Sequence, residues 1–127
     1  MFEVPRRTEL LQDKLPPHSL LYETQTELPV EFVEVASSGL TVGYLWGTDY
    51  DDAAGYEPYT PAGQAALDAG EEWLARLSEA KERGLSPSEA LRELSSLPGN
   101  ARSGAVLPGS LRRAPSLEKL QDISGRE

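Results

Sequence analysis

Acidic and aromatic side chains are concentrated between residues 29 and 60, a stretch that contains no Lys or Arg. It holds six carboxylates and six of the chain's nine aromatic rings. Tyr and Trp are enriched in the cores of protein interfaces, and negative charge steers the encounter with a cationic partner. The composition therefore indicates a surface that binds a basic protein. The predicted contact residues are Glu31, Glu34, Tyr44, Trp46, Asp49, Tyr50, Asp51, Asp52, Tyr56 and Glu57.

The same carboxylates invite comparison with a calcium-binding loop. An EF-hand needs oxygen ligands at loop positions one, three and five, Gly at six and a bidentate Glu at twelve. Counted from Asp49, position five is Ala53, position six is Ala54 and position twelve is Thr60. The pattern fails, so we predict neither a metal nor another cofactor, and the simplest alternative is a solvated acidic loop.

Two carboxylates in unlike environments can also perform acid–base catalysis on a sugar, with Trp46 as a stacking platform. Such enzymes need a deep cleft, which a core of about 100 residues seldom provides. The one histidine, His18, cannot supply a His-rich metal site, and its place after Pro16 and Pro17 favours a surface turn. We therefore predict a non-enzymatic protein and keep a small carboxylate-based hydrolase or sugar-binding protein as the alternative.

The overall composition limits the partners. The chain has 127 residues and a net charge of −9, which disfavours nucleic acid and anionic membranes because phosphate binding needs a basic footprint. Residues 61–96 resemble a helix–turn–helix in outline, but their second helix has no net positive charge. The expected partner is a basic protein, such as a cationic toxin or nuclease masked by a bacterial inhibitor or immunity-type protein.

Targeting and redox features favour the cytoplasm. The chain contains no Cys, which excludes disulfides and thiolate metal sites. No apolar run follows Met1, so we expect no secretory signal, and no stretch approaches the roughly 18 apolar residues of a membrane span. Arg outnumbers Lys nine to three beside abundant Ala, Leu and Gly, which hints at a high-GC bacterial genome.

Two strands are predicted at residues 29–35 and 40–46, because both segments are rich in β-branched and aromatic residues. Gly39 suits the positive φ of the hairpin loop between them. Alternation in the second strand predicts one apolar face, which would contain Leu40, Val42, Tyr44 and Trp46. The first strand has apolar residues at both odd and even positions, which indicates two covered faces or a β-bulge. Residues 47–60 are predicted to form a long loop.

Two helices are predicted after this loop. The first covers residues 61–84, with Thr60 as its N-cap, Pro61 at its first position and Gly84 just past its end. Gly70 falls on its apolar stripe, so we expect a close approach of the helix to the sheet there. Ser86 and Glu89 form a capping box for the second helix, which should end near residue 96.

These elements predict an α+β fold with a small antiparallel sheet of two or three strands packed on a two-helix hairpin. Residues 1–17 would be an N-terminal arm with a short helix, and residues 18–97 a single domain. Residues 98–127 are rich in Gly, Pro and Arg, so we expect a flexible basic tail that folding does not require. Within it, Arg112 and Arg113 could dock weakly on the acidic loop.

Overall fold

The computed structural model describes residues 21–125, so the predicted arm at residues 1–17 lies outside the described part of the chain. The described residues form one antiparallel sheet of five strands with three α-helices, which confirms the α+β class and enlarges the predicted sheet. In chain order the elements are β1 (Val30–Ser37), β2 (Leu40–Thr48), β3 (Ala53–Pro58), a 3₁₀ turn (Thr60–Ala62), α1 (Gln64–Glu82), α2 (Pro87–Ser95), β4 (Ala105–Val106), β5 (Arg112–Ala114) and α3 (Leu117–Ile123).

The first hairpin follows the prediction, and the sheet grows outward from it on both sides. Ser38 and Gly39 join β1 to β2 with φ values of 54° and 82°, the left-handed pair that a two-residue hairpin turn requires. Strand β3 pairs with the free edge of β2, and both β4 and β5 pair with the other edge of β1. The predicted loop at residues 47–60 is therefore mostly the end of β2 and the whole of β3.

A β-bulge in β2 changes which side chains share a face. Val35 pairs with Gly43 and Ala36 pairs with Thr41, so Val42 is an extra residue between the two pairs. Because the bulge shifts the alternation, Val42 belongs to the core beneath α1 and α2, whereas Tyr44 lies in the core on the opposite face. The prediction of a single apolar face from Leu40 to Trp46 is wrong for this reason, and Leu40 is exposed.

Both faces of the sheet are covered by helices. Val33 and Val35 of β1 pack beneath α1 and α2, while Val30 and Phe32 pack on the face that α3 covers. This three-layer arrangement explains why β1 carries apolar residues of both parities. Among residues 21–125 no helix is long and apolar enough to cross a membrane.

The helix ends are set by local signals, with one shift from the expected start. Thr60 and Pro61 form a 3₁₀ turn, and α1 begins only at Gln64, after Gly63 with φ 62°. Gly84 has φ 84°, which confirms its predicted place just past the helix. The capping box of α2 is present in both directions: Ser86 Oγ accepts from the Glu89 amide, and the Glu89 carboxylate accepts from the Ser86 amide at 2.8 Å.

Gly70 makes the close approach that its place on the apolar stripe predicts. A Cβ atom at Gly70 would lie 2.9 Å from the ring of Tyr56 in β3, and one at Gly43 would lie 2.3 Å from the same ring. The phenol thus fills a slot between two glycines. Its hydroxyl lies 2.9 Å from the Val42 carbonyl and 3.0 Å from the Ala66 carbonyl, and it can donate a hydrogen bond to either.

The C-terminal segment differs most from its prediction. Residues 98–127 were expected to be a flexible tail, yet β4, β5 and α3 lie within them. Val106 joins the core beneath α1 and α2, and Leu117 and Leu120 are buried on the opposite face. These few apolar residues form no core of their own, but they complete two cores that the sheet supplies, which a count of apolar residues in the segment alone does not reveal.

Candidate partner-binding surface

Five of the ten predicted contact residues meet at one end of the sheet. Asp49, Tyr50, Asp51 and Asp52 form the four-residue connection between β2 and β3, which we call the Tyr50 turn. Glu31 on the neighbouring strand β1 lines the same surface hollow as Asp49 and Tyr50. The pairing of Glu31 with Gly47 places this carboxylate beside the start of the turn.

The Tyr50 turn is held in one conformation by its own backbone. The Asp52 amide donates to the Asp49 carbonyl at 3.2 Å, and Asp52 has φ 50°. A short polar side chain makes this left-handed conformation less costly. The turn also pairs with an upstream segment: the Glu23 amide donates to the Asp52 carbonyl, and the Ala54 amide donates to the Glu23 carbonyl, both at 3.0 Å.

Each aspartate of the turn has a side-chain partner. The Asp49 carboxylate accepts from the Ser88 amide at 2.8 Å and from its hydroxyl at 2.7 Å, at the N-terminus of α2 where the helix dipole favours negative charge. Asp51 accepts from the Thr26 hydroxyl, and Asp52 forms an ion pair with Lys81 of α1. Residues of α1, α2 and the segment that precedes β1 therefore each hold one aspartate of the turn.

Tyr50 projects from this fixed turn into solvent, with 89% of its surface exposed. A hollow of about 430 Å³ lies on one side, lined by Glu31, Asp49 and Arg113 among others. Another of about 490 Å³ contains Asp51 and Glu27. We define the Tyr50 surface as Tyr50 with the six carboxylates of Glu23, Glu27, Glu31, Asp49, Asp51 and Asp52.

The net charge of the Tyr50 surface stays negative after its ion pairs with described residues are counted. Among the described residues, two cations contact its six carboxylates: Lys81 pairs with Asp52, and Arg113 lies 3.9 Å from Glu31. Arg113 therefore pairs with Glu31 of β1 from strand β5, and Arg112 lies over the Phe32 ring. Within the described part of the chain, neither arginine forms an ion pair with the acidic loop on which docking was predicted. Sequence reasoning missed Glu23 and Glu27, because the bridge between Glu23 and Ala53 is a non-local pairing with no periodic signal in residues 19–26.

The other five predicted contact residues lie elsewhere. Tyr44 and Trp46 are only 6% and 2% exposed and pack in the core covered by α3, so they offer no surface for a partner. Tyr56 fills the slot between two glycines. Glu34 accepts from the Thr41 hydroxyl beside Tyr44, and Glu57 contacts Gln121 of α3. The strand alternation and the bulge distribute this acidic and aromatic stretch over both faces of the sheet.

Burial also changes the acid–base behaviour of three tyrosines. Desolvation, followed by the charge of Asp52, raises the pKa of Tyr22 to about 12. Desolvation likewise raises the pKa of Tyr44, with a smaller contribution from Glu34, and it alone raises the pKa of Tyr56. Burial disfavours the phenolate because the charge leaves water. These phenols are therefore structural groups that stay neutral well into the alkaline range.

We expect the free energy of unfolding to fall as the pH rises from 10 towards 12. The phenols of Tyr22, Tyr44 and Tyr56 ionise near their ordinary pKa of 10.0 in the unfolded chain but not in the folded one, so alkali favours unfolding. Denaturant titrations across this range measure the slope, and the Tyr56→Phe variant should reduce it. An unchanged slope in that variant would contradict the burial of the Tyr56 phenol.

Within residues 21–125 no group of three or more His, Asp or Glu side chains is placed to hold a metal ion. Comparison of the chain with protein-family models, with curated proteins and with solved structures found no match. The chemistry of the Tyr50 surface is therefore the basis for any functional statement.

Proposed function

We propose that this chain is a non-enzymatic binding protein whose Tyr50 surface contacts a basic patch on a protein partner. One observation carries the proposal: Tyr50 is 89% exposed although the turn that bears it is fixed by hydrogen bonds and an ion pair. Contact of an aromatic ring with water is unfavourable, so a partner that covers the ring gains binding free energy from the hydrophobic effect. A turn that is already ordered loses little further conformational entropy on binding.

The surrounding charge supports a cationic partner. The six carboxylates of the Tyr50 surface exceed the two described cations that contact them, so the local potential is negative. Such a potential raises the rate of encounter with Lys- and Arg-rich surfaces and repels acidic ones. Tyr50 would supply contact area at the centre, and the carboxylates would pair with the partner's Lys and Arg around it.

An inhibitor or immunity-type protein is the concrete form of this proposal. Toxins and nucleases that act on nucleic acid carry a basic groove for phosphate, and an acidic protein can mask such a groove. In this form the Tyr50 surface covers the partner's cationic site in the bacterial cytoplasm. The alternative of a carboxylate hydrolase or sugar-binding protein lacks its expected sugar platform, since Trp46 is buried.

To test the proposal, the unaltered protein and two variants are immobilised, and their affinities for a captured basic protein are compared. We expect Tyr50→Ala to lose at least about tenfold in affinity for a basic partner isolated from a lysate of the organism that encodes the chain, as for an interface anchor. Leu40→Ala is the matched control, because Leu40 is 71% exposed at the opposite end of β2. Binding by the unaltered protein should also weaken as salt is raised.

Substituting exposed carboxylates gives the second arm of this test. Asp49 and Asp52 hold the turn, so the informative changes are Glu23→Gln and Glu27→Gln, whose side chains are exposed. We expect a lower association rate in the double variant with little change in melting temperature. A partner that binds Tyr50→Ala and Leu40→Ala equally well, and without salt dependence, would rule out the Tyr50 surface.

A further inference from the structure

A second concave surface continues from the Tyr50 surface along strand β1. This groove of about 350 Å³ lies between α2 and the connection from β4 to β5. Val33, Leu91 and Val106 form its apolar floor, and Leu107 and Leu111 on its outer rim are 38% and 57% exposed. We call it the β1–α2 groove.

The outer wall of the groove is anchored to the sheet. The Leu107 amide donates to the Glu34 carbonyl at 2.8 Å, and the Glu34 amide donates to the Ser110 hydroxyl at 3.0 Å. Strands β4 and β5 pair with the two halves of β1 on either side of this point. Because the backbone edge of β1 is occupied, an added β-strand cannot bind there. Any occupant of the groove must be recognised through its side chains.

Charge differs along the length of the groove. Glu31 lines both the groove and the hollow beside Tyr50, so one carboxylate joins the two surfaces. A Cβ atom added at Gly47, the partner of Glu31 in the sheet, would lie 3.0 Å from Pro87 Cβ, which places the start of α2 at this acidic end. Arg92 lies on the rim five positions along α2, about 8 Å further from that end. The pair of Glu31 with the largely exposed Arg113 contributes at most about 1 kcal/mol, so a partner's cation can replace Arg113 at this end, whereas Arg92 disfavours a cation further along the groove.

We propose that the β1–α2 groove receives an apolar side chain of the same basic partner, next to a Lys or Arg that meets Glu31 and Asp49. This inference rests on the proposed function and specifies the partner's binding segment. Glu31 and Val33 are two residues apart on β1, about 7 Å, so the basic and apolar side chains would be spaced like residues i and i+2 of an extended segment. The floor contributes the hydrophobic part of binding and Glu31 the electrostatic part.

Two blocked tripeptides, Arg-Gly-Leu and Arg-Gly-Ser, test this inference by nuclear magnetic resonance titration at low salt. We expect the leucine peptide to bind about fivefold more tightly and to shift the amide signals of Leu91, Leu107 and Leu111 together with that of Tyr50. The Leu111→Ser variant should abolish the difference between the peptides. Leu74→Ser is the matched control, because Leu74 is 50% exposed on α1 and does not line the groove.

The outcomes separate this inference from the proposed function. Equal affinity of the two peptides, or an equal loss of the leucine preference in Leu74→Ser, would overturn the groove inference while shifts at Tyr50 still supported the acidic contact. A leucine preference with shifts at the groove and none at Tyr50 would instead remove the Tyr50 surface from the account. No shift at either place would overturn both.

Discussion

Removing the C-terminal residues from Gly99 onward is expected to abolish cooperative unfolding. The truncated chain loses β4 and β5, which leaves the outer edge of β1 unpaired. It also loses Leu117 and Leu120 from one core and Val106 from the other. Fully burying a Leu or Val side chain is worth about 1.5–3 kcal/mol, and a whole domain is stable by only about 5–15 kcal/mol. Circular dichroism of the truncated chain should therefore show no sharp thermal transition.

A pair of point variants in α3 controls for nonspecific effects of truncation. Leu120 is fully buried, so Leu120→Ala should lower the free energy of unfolding by about 2–5 kcal/mol. Ile123 in the same helix is 46% exposed, and Ile123→Ala should cost less than about 1 kcal/mol. Equal costs for the two variants, or a truncated chain that still melts sharply, would show that α3 does not cover the sheet.

The second large effect is expected from Gly43→Ala. The added Cβ would lie 2.3 Å from the Tyr56 phenol, and the ring cannot move away freely because Gly70 confines its other side. Overpacking costs about 1–3 kcal/mol, and displacing the hydroxyl from the Val42 and Ala66 carbonyls adds about 1 kcal/mol. Denaturant titration should show a combined loss of about 2–4 kcal/mol in the free energy of unfolding.

A double-mutant cycle identifies the cause of that loss. In a Tyr56→Ala background the slot is empty, so adding Gly43→Ala should cost almost nothing. A similar cost of Gly43→Ala with and without the Tyr56 ring would mean that the strain lies in the backbone of β2 and not in the slot.

Local signals in the sequence predict the elements whose ends are chemically marked. Gly39, Gly84 and the Ser86–Glu89 capping box all lie where their conformational preferences place them. Gly70 also follows its prediction, because a glycine on the buried stripe of a helix leaves room for the sheet. The turn and cap signals depend on residues close together in the chain, whereas Gly70 shows its role only against Tyr56 of β3.

The features that could not be predicted depend on distant pairing. The bulge at Val42 reverses the faces of the following residues, so Tyr44 and Trp46 pack on the face opposite Val42, although alternation alone suggested one shared face. Short strands such as β4 and β5 gain their stability from β1 and have no periodic signal of their own. The acidic composition singled out residues 49–52, but it could not show that Asp49 binds the N-terminus of α2 or that Asp52 pairs with Lys81.

Hydrogen exchange of the complex tests the central claim that the Tyr50 turn contacts a basic partner. The captured partner is added to the unaltered protein, and exchange is measured by mass spectrometry on peptides that cover residues 21–125. We predict slower exchange in the peptides that contain residues 23–28 and 47–53, and little change along α1. Protection confined to α1 or α3, with unchanged exchange at residues 47–53, would contradict it.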